Sequence, residues 1–213
     1  MKRNKRGGNS QRHPWLAILV LAVLTLPRTA AGNDWSCALS AFYIDSAGQE
    51  PYPAATFFAD RDALHLEVRY NYEDLETGSL FFGGTLSVGD EIALTVVPLF
   101  GFIAGNTIGV APGAEVTLEW WRLTLYDESE YVLNGEERAD NFFYAWVEAT
   151  VSPTKWLRTG FVGQRTKVIE TSLEFDRGLL VELAHRDASL GLHWFNPDRP
   201  DDRIFLLAVS YTF

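Results

Sequence analysis

The chain has 213 residues, enough for one domain or two small ones, and its 28 acidic side chains against 18 Lys and Arg leave a net charge of −10. So acidic a chain is a poor match for nucleic acid, which needs a basic surface, and its single cysteine, Cys37, excludes an intramolecular disulfide. Aromatic residues reach 14% with seven Trp, a load that suits a core, a carbohydrate site or a membrane interface.

The N-terminal segment differs in composition from the rest of the chain. Lys2, Arg3, Lys5, Arg6 and Arg12 form a basic start, Trp15 to Leu26 is apolar, and Thr29, Ala30, Ala31 and Gly32 are small. That order is the pattern of a secretory signal peptide. A transmembrane anchor needs roughly twenty apolar residues, and this run has about twelve. The expected organisation is a signal peptide at 1–31, cleaved after Ala31 or Gly32, and one domain at 32–213. Without the signal segment, 12 basic residues face 28 acidic ones. Asn33, Asp34, Trp35 and Ser36 before Cys37 do not form the small-residue box of a lipidated cysteine, so Cys37 reads as a packing residue.

From residue 35 onward, period two replaces any helical period. Strands are expected at 35–44, 53–59, 63–72, 78–88, 91–98, 102–110, 115–126, 139–151, 156–168, 177–185, 188–195 and 203–213. The stretch 63–72 is the clearest, with Leu64, Leu66, Val68, Tyr70 and Tyr72 alternating with His65, Glu67, Arg69 and Asn71. Tight turns are expected at Gly89-Asp90, Ala111-Pro112-Gly113, Ser152-Pro153-Thr154 and Arg186-Asp187. Longer polar connections at 45–52, 73–77, 127–138, 169–176 and 196–202 fall at the opposite end, and only a connection at 98–102 breaks the alternation.

Short turns on one side and long loops on the other are the asymmetry of membrane barrels. A soluble sandwich also has regularly spaced short strands. Against it stand a polar face that mixes Glu, Arg, His, Gln and Asn with small residues, and aromatics near strand ends: Trp35, Tyr43, Trp120, Trp121, Phe143, Trp156, Trp194 and Tyr211. The expected fold class is therefore all-β, a transmembrane antiparallel up-and-down β-barrel of 12 strands, with 10 as the alternative. An even count follows from having both termini on the tight-turn side.

The chain ends DDRIFLLAVSYTF, with Phe205, Leu207, Val209, Tyr211 and Phe213 on one face. This ending resembles the C-terminal strand of Gram-negative outer-membrane barrels, in which a final aromatic is the signal read by the barrel-assembly machinery. The pattern covers the whole mature chain, the motif only its last strand. In size and strand number the chain is similar to the small monomeric barrels, a group that includes oligosaccharide-specific porins, but it lacks their evident row of inward basic residues. The resemblance implies export through the periplasm to the bacterial outer membrane, a monomer surrounded by outer-membrane lipid and lipopolysaccharide, and Tyr211 and Phe213 as the assembly signal.

With the apolar parity given to lipid, the expected lumen residues are His65, Glu67, Arg69, Glu119, Arg122, Tyr144, Trp146, Glu148, Arg158, Gln164, Glu182 and His193, alongside Asn71 and Thr166. Including both Glu119 and Arg122 requires a bulge at Trp120-Trp121. Acids and bases nearly alternate in this set. Either they neutralise one another and fill the interior, or they line a narrow aqueous path in which Tyr144 and Trp146 stack on a solute. The acidic surplus favours cations or neutral molecules.

The functional expectation is a small passive channel or structural barrel with a mixed-charge lumen. The alternative is an outer-membrane lipid-modifying enzyme of lipase, deacylase or acyltransferase type. Ser189 and His193 share a face about 13 Å apart, too far for a nucleophile and its base, so no catalytic residue is assigned. No cofactor is expected. His65 and Glu67 share a face, but two ligands do not make a metal site. Asp127, Glu128, Ser129 and Glu130, like Gly135, Glu136, Glu137 and Arg138, read as hydrated external loop, either gathering divalent ions or simply solvated. Arg165 and Lys167 either meet lipopolysaccharide phosphates or snorkel as a surface pair.

Overall fold

The computed structural model describes residues 35–136, 140–168 and 174–213, with only the backbone considered at 166–168 and 174. The expected signal segment at 1–31 lies outside them, as do Glu137, Arg138 and the side chain of Lys167. Among the described residues the strands are β1 (Ser36–Ser46), β2 (Tyr52–Arg61), β3 (Leu64–Tyr70), β4 (Gly78–Gly84), β5 (Leu86–Val88), β6 (Ile92–Ala104), β7 (Gly109–Trp120), β8 (Leu123–Asn134), β9 (Phe142–Thr154), β10 (Leu157–Val168), β11 (Glu174–His185), β12 (Ala188–Phe195) and β13 (Ile204–Thr212). All pairings are antiparallel. β4 and β5 are two pieces of one strand, both laid on β6 in a common register. β13 returns to pair with β1, so a twelve-stranded up-and-down barrel closes with no free edge.

Tight turns crowd the end that carries both termini. Two-residue connections at Asp62-Ala63, Trp121-Arg122 and Arg186-Asp187 each put their first residue at positive φ, 52°, 55° and 56°. Such turns match the right-handed twist of the strands they join. The other end carries the longer connections, among them 71–77 and 196–203.

The count of twelve was expected, but not the path by which the chain reaches it. β6 runs unbroken through 98–102, where a connection was expected, and β8 occupies most of the expected loop 127–138. Ala111-Pro112-Gly113 lies inside β7 and Ser152-Pro153-Thr154 inside β9. Proline explains three of these four differences, because each proline sits where the ladder is interrupted and no N–H is required. Pro98 faces the gap between β4, which ends its pairing at Gly83↔Leu99, and β5, which begins at Leu86↔Val96. The β7–β8 ladder skips from Val110↔Leu133 to Gly113↔Glu130, across Pro112. The β9–β10 ladder shifts register beside Pro153.

The outer wall is apolar. Val68, Leu80, Phe82, Phe102, Leu125, Phe161, Leu179, Val181 and Leu192 are all exposed on it. A soluble sandwich would turn this face inward, and in a bilayer it meets hydrocarbon. Trp120, Trp121 and Trp156 are exposed around the tight-turn end, while Trp194 stacks on Phe205 near the loop end at 5.8 Å. These are the positions of two aromatic girdles. The terminal residue is held by β1: the N–H of Phe213 donates to the carbonyl of Cys37 and the N–H of Cys37 to that of Phe213, at 2.8 and 3.0 Å.

Candidate functional site: the barrel interior

Alternation along β3 sends His65, Glu67 and Arg69 inward, and all three are buried. Arg69 donates from Nε and Nη2 to the two oxygens of Glu67, both at 2.7 Å. Its Nη1 lies 2.8 Å from Glu128, 3.2 Å from Glu130 and 3.5 Å from Glu73. The guanidinium also faces the rings of Phe81 and Tyr72, at 4.2 and 4.6 Å from their centroids. One cation so placed satisfies its donors on several carboxylates at once, the arrangement for which a planar fork is suited.

Tyr72 and Glu73 reach this site because the chain turns inward at Asn71, where φ is 53°. The Asn71 side chain fixes that turn, donating to the carbonyl of Pro53 at 2.9 Å and accepting the N–H of Glu76 at 2.7 Å. Ser79 donates to Glu73 and Thr107 to Asp74, at 2.7 and 2.9 Å, so the 71–77 loop is tied down inside the barrel mouth. Tyr72 was expected on the lipid parity of a strand reaching residue 72. Because β3 ends at Tyr70, its hydroxyl instead donates to Glu128. Burial pushes the carboxyl of Glu73, in this loop, above its usual pKa.

An apolar cluster backs the charges: Phe81, Val97, Leu99, Ile103, Ala111 and Val132, with Phe142 against them. Gly101 is required here, since a Cβ at that position would collide with the Phe81 ring. This side of the interior is full. On the other side, Arg158 bridges Glu148 and Glu182 at 2.6 and 3.2 Å. Trp146 Nε1 donates to Glu148 at 3.0 Å, and the Trp146 ring meets His193 and Phe195 edge-on.

Between the two charge clusters lies a cavity of about 470 Å³. Tyr72, Tyr126, Glu128, Tyr144, Trp146 and Arg158 line one side of it, and Phe42, Ile44, Ala54, Phe58, Leu206 and Ala208 the other. Its lining extends from Ser46, Tyr52 and Ile204 near the loop end to Ser40, Ser210 and Thr124 toward the turns.

The expected lumen residues divide accordingly. Glu67, Tyr144, Trp146, Glu148, Arg158, Gln164, Glu182 and His193 lie on the cavity, while His65 and Arg69 are buried beside it. Glu119 is exposed near the turn end of β7. Arg122 lies in the β7–β8 turn, exposed, with Nη1 donating to the carbonyl of Pro153 at 2.7 Å. It is not in the lumen, because Trp120-Trp121 is a strand end rather than a bulge. Sequence reasoning missed Glu73, Glu115, Glu128, Glu130, Tyr126 and the apolar wall. The alternation Glu128, Glu130, Val132 was the available signal, masked by reading Asp127 to Glu130 as loop.

No family model matches the chain, and no curated relative does. Among solved structures, the KdgM porin is similar at a TM-score of 0.57 and 10% identity, over 83% of this chain and 99% of that one. Pseudomonas aeruginosa OccK5 (OpdH) aligns at 0.46 and 10% identity, covering 85% of this chain and 68% of its own. The Acinetobacter baumannii outer membrane protein Omp33 aligns at 0.47 and 9%, covering 84% and 98%. With its closed twelve-stranded topology and apolar outer belt, the chain has the fold of a porin-like β-barrel of the bacterial outer membrane.

Proposed function

We propose that this protein is a passive outer-membrane channel for small neutral or cationic solutes, with the interior cavity as its path. The observation that carries the reading is that cavity itself: about 470 Å³ of space whose lining extends from the loop end toward the turn end. The filled side, with Phe81 behind Arg69 and the 71–77 loop folded in, acts as a fixed constriction that narrows the barrel to this passage. The excess of carboxylates over Arg69 and Arg158 disfavours anions. Trp146 and Tyr144 offer faces on which a ring-shaped solute can stack.

The lipid-modifying alternative draws no support from the geometry. Among the described residues, the hydrogen bonds of His65 and His193 go to carboxylates, and neither ring bonds a serine or threonine hydroxyl. The reading is tested by refolding the mature barrel and recording ionic current across a planar bilayer. Stepwise conductance with cation-selective reversal potentials is expected. A flat trace from protein that retains heat-modifiable gel mobility overturns the channel and leaves a plugged structural barrel.

A further inference from the structure

Around Arg69 the interior gathers five carboxylates, Glu67, Glu73, Glu115, Glu128 and Glu130. Among the described residues Arg69 is the one guanidinium ion-paired with four of them, while Glu115 accepts the hydroxyl of Tyr126 at 3.1 Å. At the edge of this cluster stands His65. Its Nδ1 bonds Asp60 Oδ1 at 2.7 Å, while its Nε2 is buried with no hydrogen-bond partner. The side chain is only 6% exposed. Nε2 points toward Glu67, 4.0 Å from Oε2. Glu115, from β7, completes the group, with one ligand atom from each of His65, Glu67 and Glu115 within 4.8 Å of the others.

We infer that His65, Glu67 and Glu115 form a binding site for a divalent transition-metal cation of the Zn²⁺ class. An imidazole nitrogen with two carboxylates is a donor set for zinc, cobalt or manganese, whereas calcium and magnesium prefer all-oxygen shells. Bonds of about 2.0–2.2 Å place ligand atoms roughly 3.5 Å apart, so closing the group on an ion needs shifts of about an ångström. Asp60 is placed as the outer partner that metal-bound histidines take: with the Nδ1–H donating to its carboxylate, Nε2 is the nitrogen that would meet the ion. Gly83 is the register partner of His65 on the neighbouring strand and adds no side chain there. Glu67 also lies on the cavity, which gives an ion an entry route and a water for its remaining position. Glu67 keeps Arg69 as well, since each carboxylate oxygen has a second lone pair. A bound cation would tie β3 to β7 across β4 and β6. The inference does not depend on the channel being open.

The test is titration of the refolded mature barrel in detergent micelles with Zn²⁺ by calorimetry and with Co²⁺ by visible absorption. One ion per barrel is expected, with Co²⁺ bands of four- or five-coordinate intensity. Glu115→Gln and His65→Gln should each weaken binding at least tenfold, and Asp60→Asn about 10–100-fold, the usual effect of an outer partner. Gel mobility confirms that each variant is folded, and if His65→Gln does not fold, Glu115→Gln and the wild-type cobalt spectrum decide the matter. A weak aquo-type cobalt spectrum overturns the site and leaves His65 as a plain ion-pair partner of Asp60 and Glu67. Zinc binding that Glu115→Gln leaves unchanged overturns it too, assigning the ion to the acidic exterior.

Discussion

Arg69 sets the interior of this barrel. Its side chain is fully buried, and every nitrogen of the guanidinium meets a carboxylate while its faces rest on Phe81 and Tyr72. Burial of such a charge is tolerable only because its partners are in place, and the converse also holds. Arg69→Met keeps the length and the contact with Phe81 but strips the carboxylates of their counter-charge. A loss of about 3–5 kcal/mol is expected, the cost of breaking a buried pair from one side. It should appear as a lower urea midpoint for the folded, heat-modifiable form. Removing one of its carboxylate partners instead, as in Glu130→Gln, leaves Arg69 its contacts with Glu67 and Glu128 and should cost far less. Equal losses in both variants would show that packing, not charge compensation, is what Arg69 provides.

At the scale of the strand, what could be read from the sequence depended on whether one face was uniformly apolar. β3 and β13 were legible because one parity of each is apolar throughout, Val68 and Tyr70 in β3 and Leu207 and Val209 in β13. β8 was not, because Asp127 and Ser129 occupy the outer parity while Glu128 and Glu130 occupy the inner one, and the Ser129 hydroxyl donates to Asp127 at 2.9 Å. With both faces polar, period two disappears from the composition although the ladder is intact. The inner apolar wall was hidden because Ile204, Leu206 and Ala208 share the inner parity of β13, whereas the expected lumen residues were drawn from polar and aromatic side chains. Proline signals were sound as marks of irregularity but were read as turns, when Pro98, Pro112 and Pro153 only interrupt a ladder. The terminal strand carries its own prediction. Phe213 stacks on Tyr211 at 6.0 Å and is bonded through its backbone to Cys37, a bond that Phe213→Ala preserves. If the aromatic ring is an assembly signal, Phe213→Ala slows insertion in cells and leaves the stability of the purified barrel within about 1 kcal/mol, since a half-exposed side chain contributes little. Normal insertion kinetics would reduce Phe213 to a strand end.

For the whole molecule, the two faces of the wall have separable roles, and paired substitutions tell them apart. Val181 sits mid-strand on the outer face of β11, paired in register with Leu192 and exposed where lipid would lie. Val181→Arg should cost about 2–4 kcal/mol of folding into vesicles, the range for a charge at the midplane of a barrel's lipid face. Molecules that do insert should conduct normally, because nothing in the lumen has changed. Ala208 is the contrasting case, buried on β13 with its methyl group on the cavity wall. Ala208→Trp adds a ring of roughly 150–250 Å² of surface into a cavity of about 470 Å³ while leaving the outer belt untouched. Single-channel conductance should fall by more than half, with insertion and gel mobility close to wild type. The filled side of the barrel offers the control: Gly101→Val collides with Phe81 and should destabilise the fold by about 1–3 kcal/mol without a specific effect on the current of barrels that assemble. If Ala208→Trp conducts as well as the parent, ions are not passing along the β1–β2–β13 wall, and the path has to be sought elsewhere in the barrel.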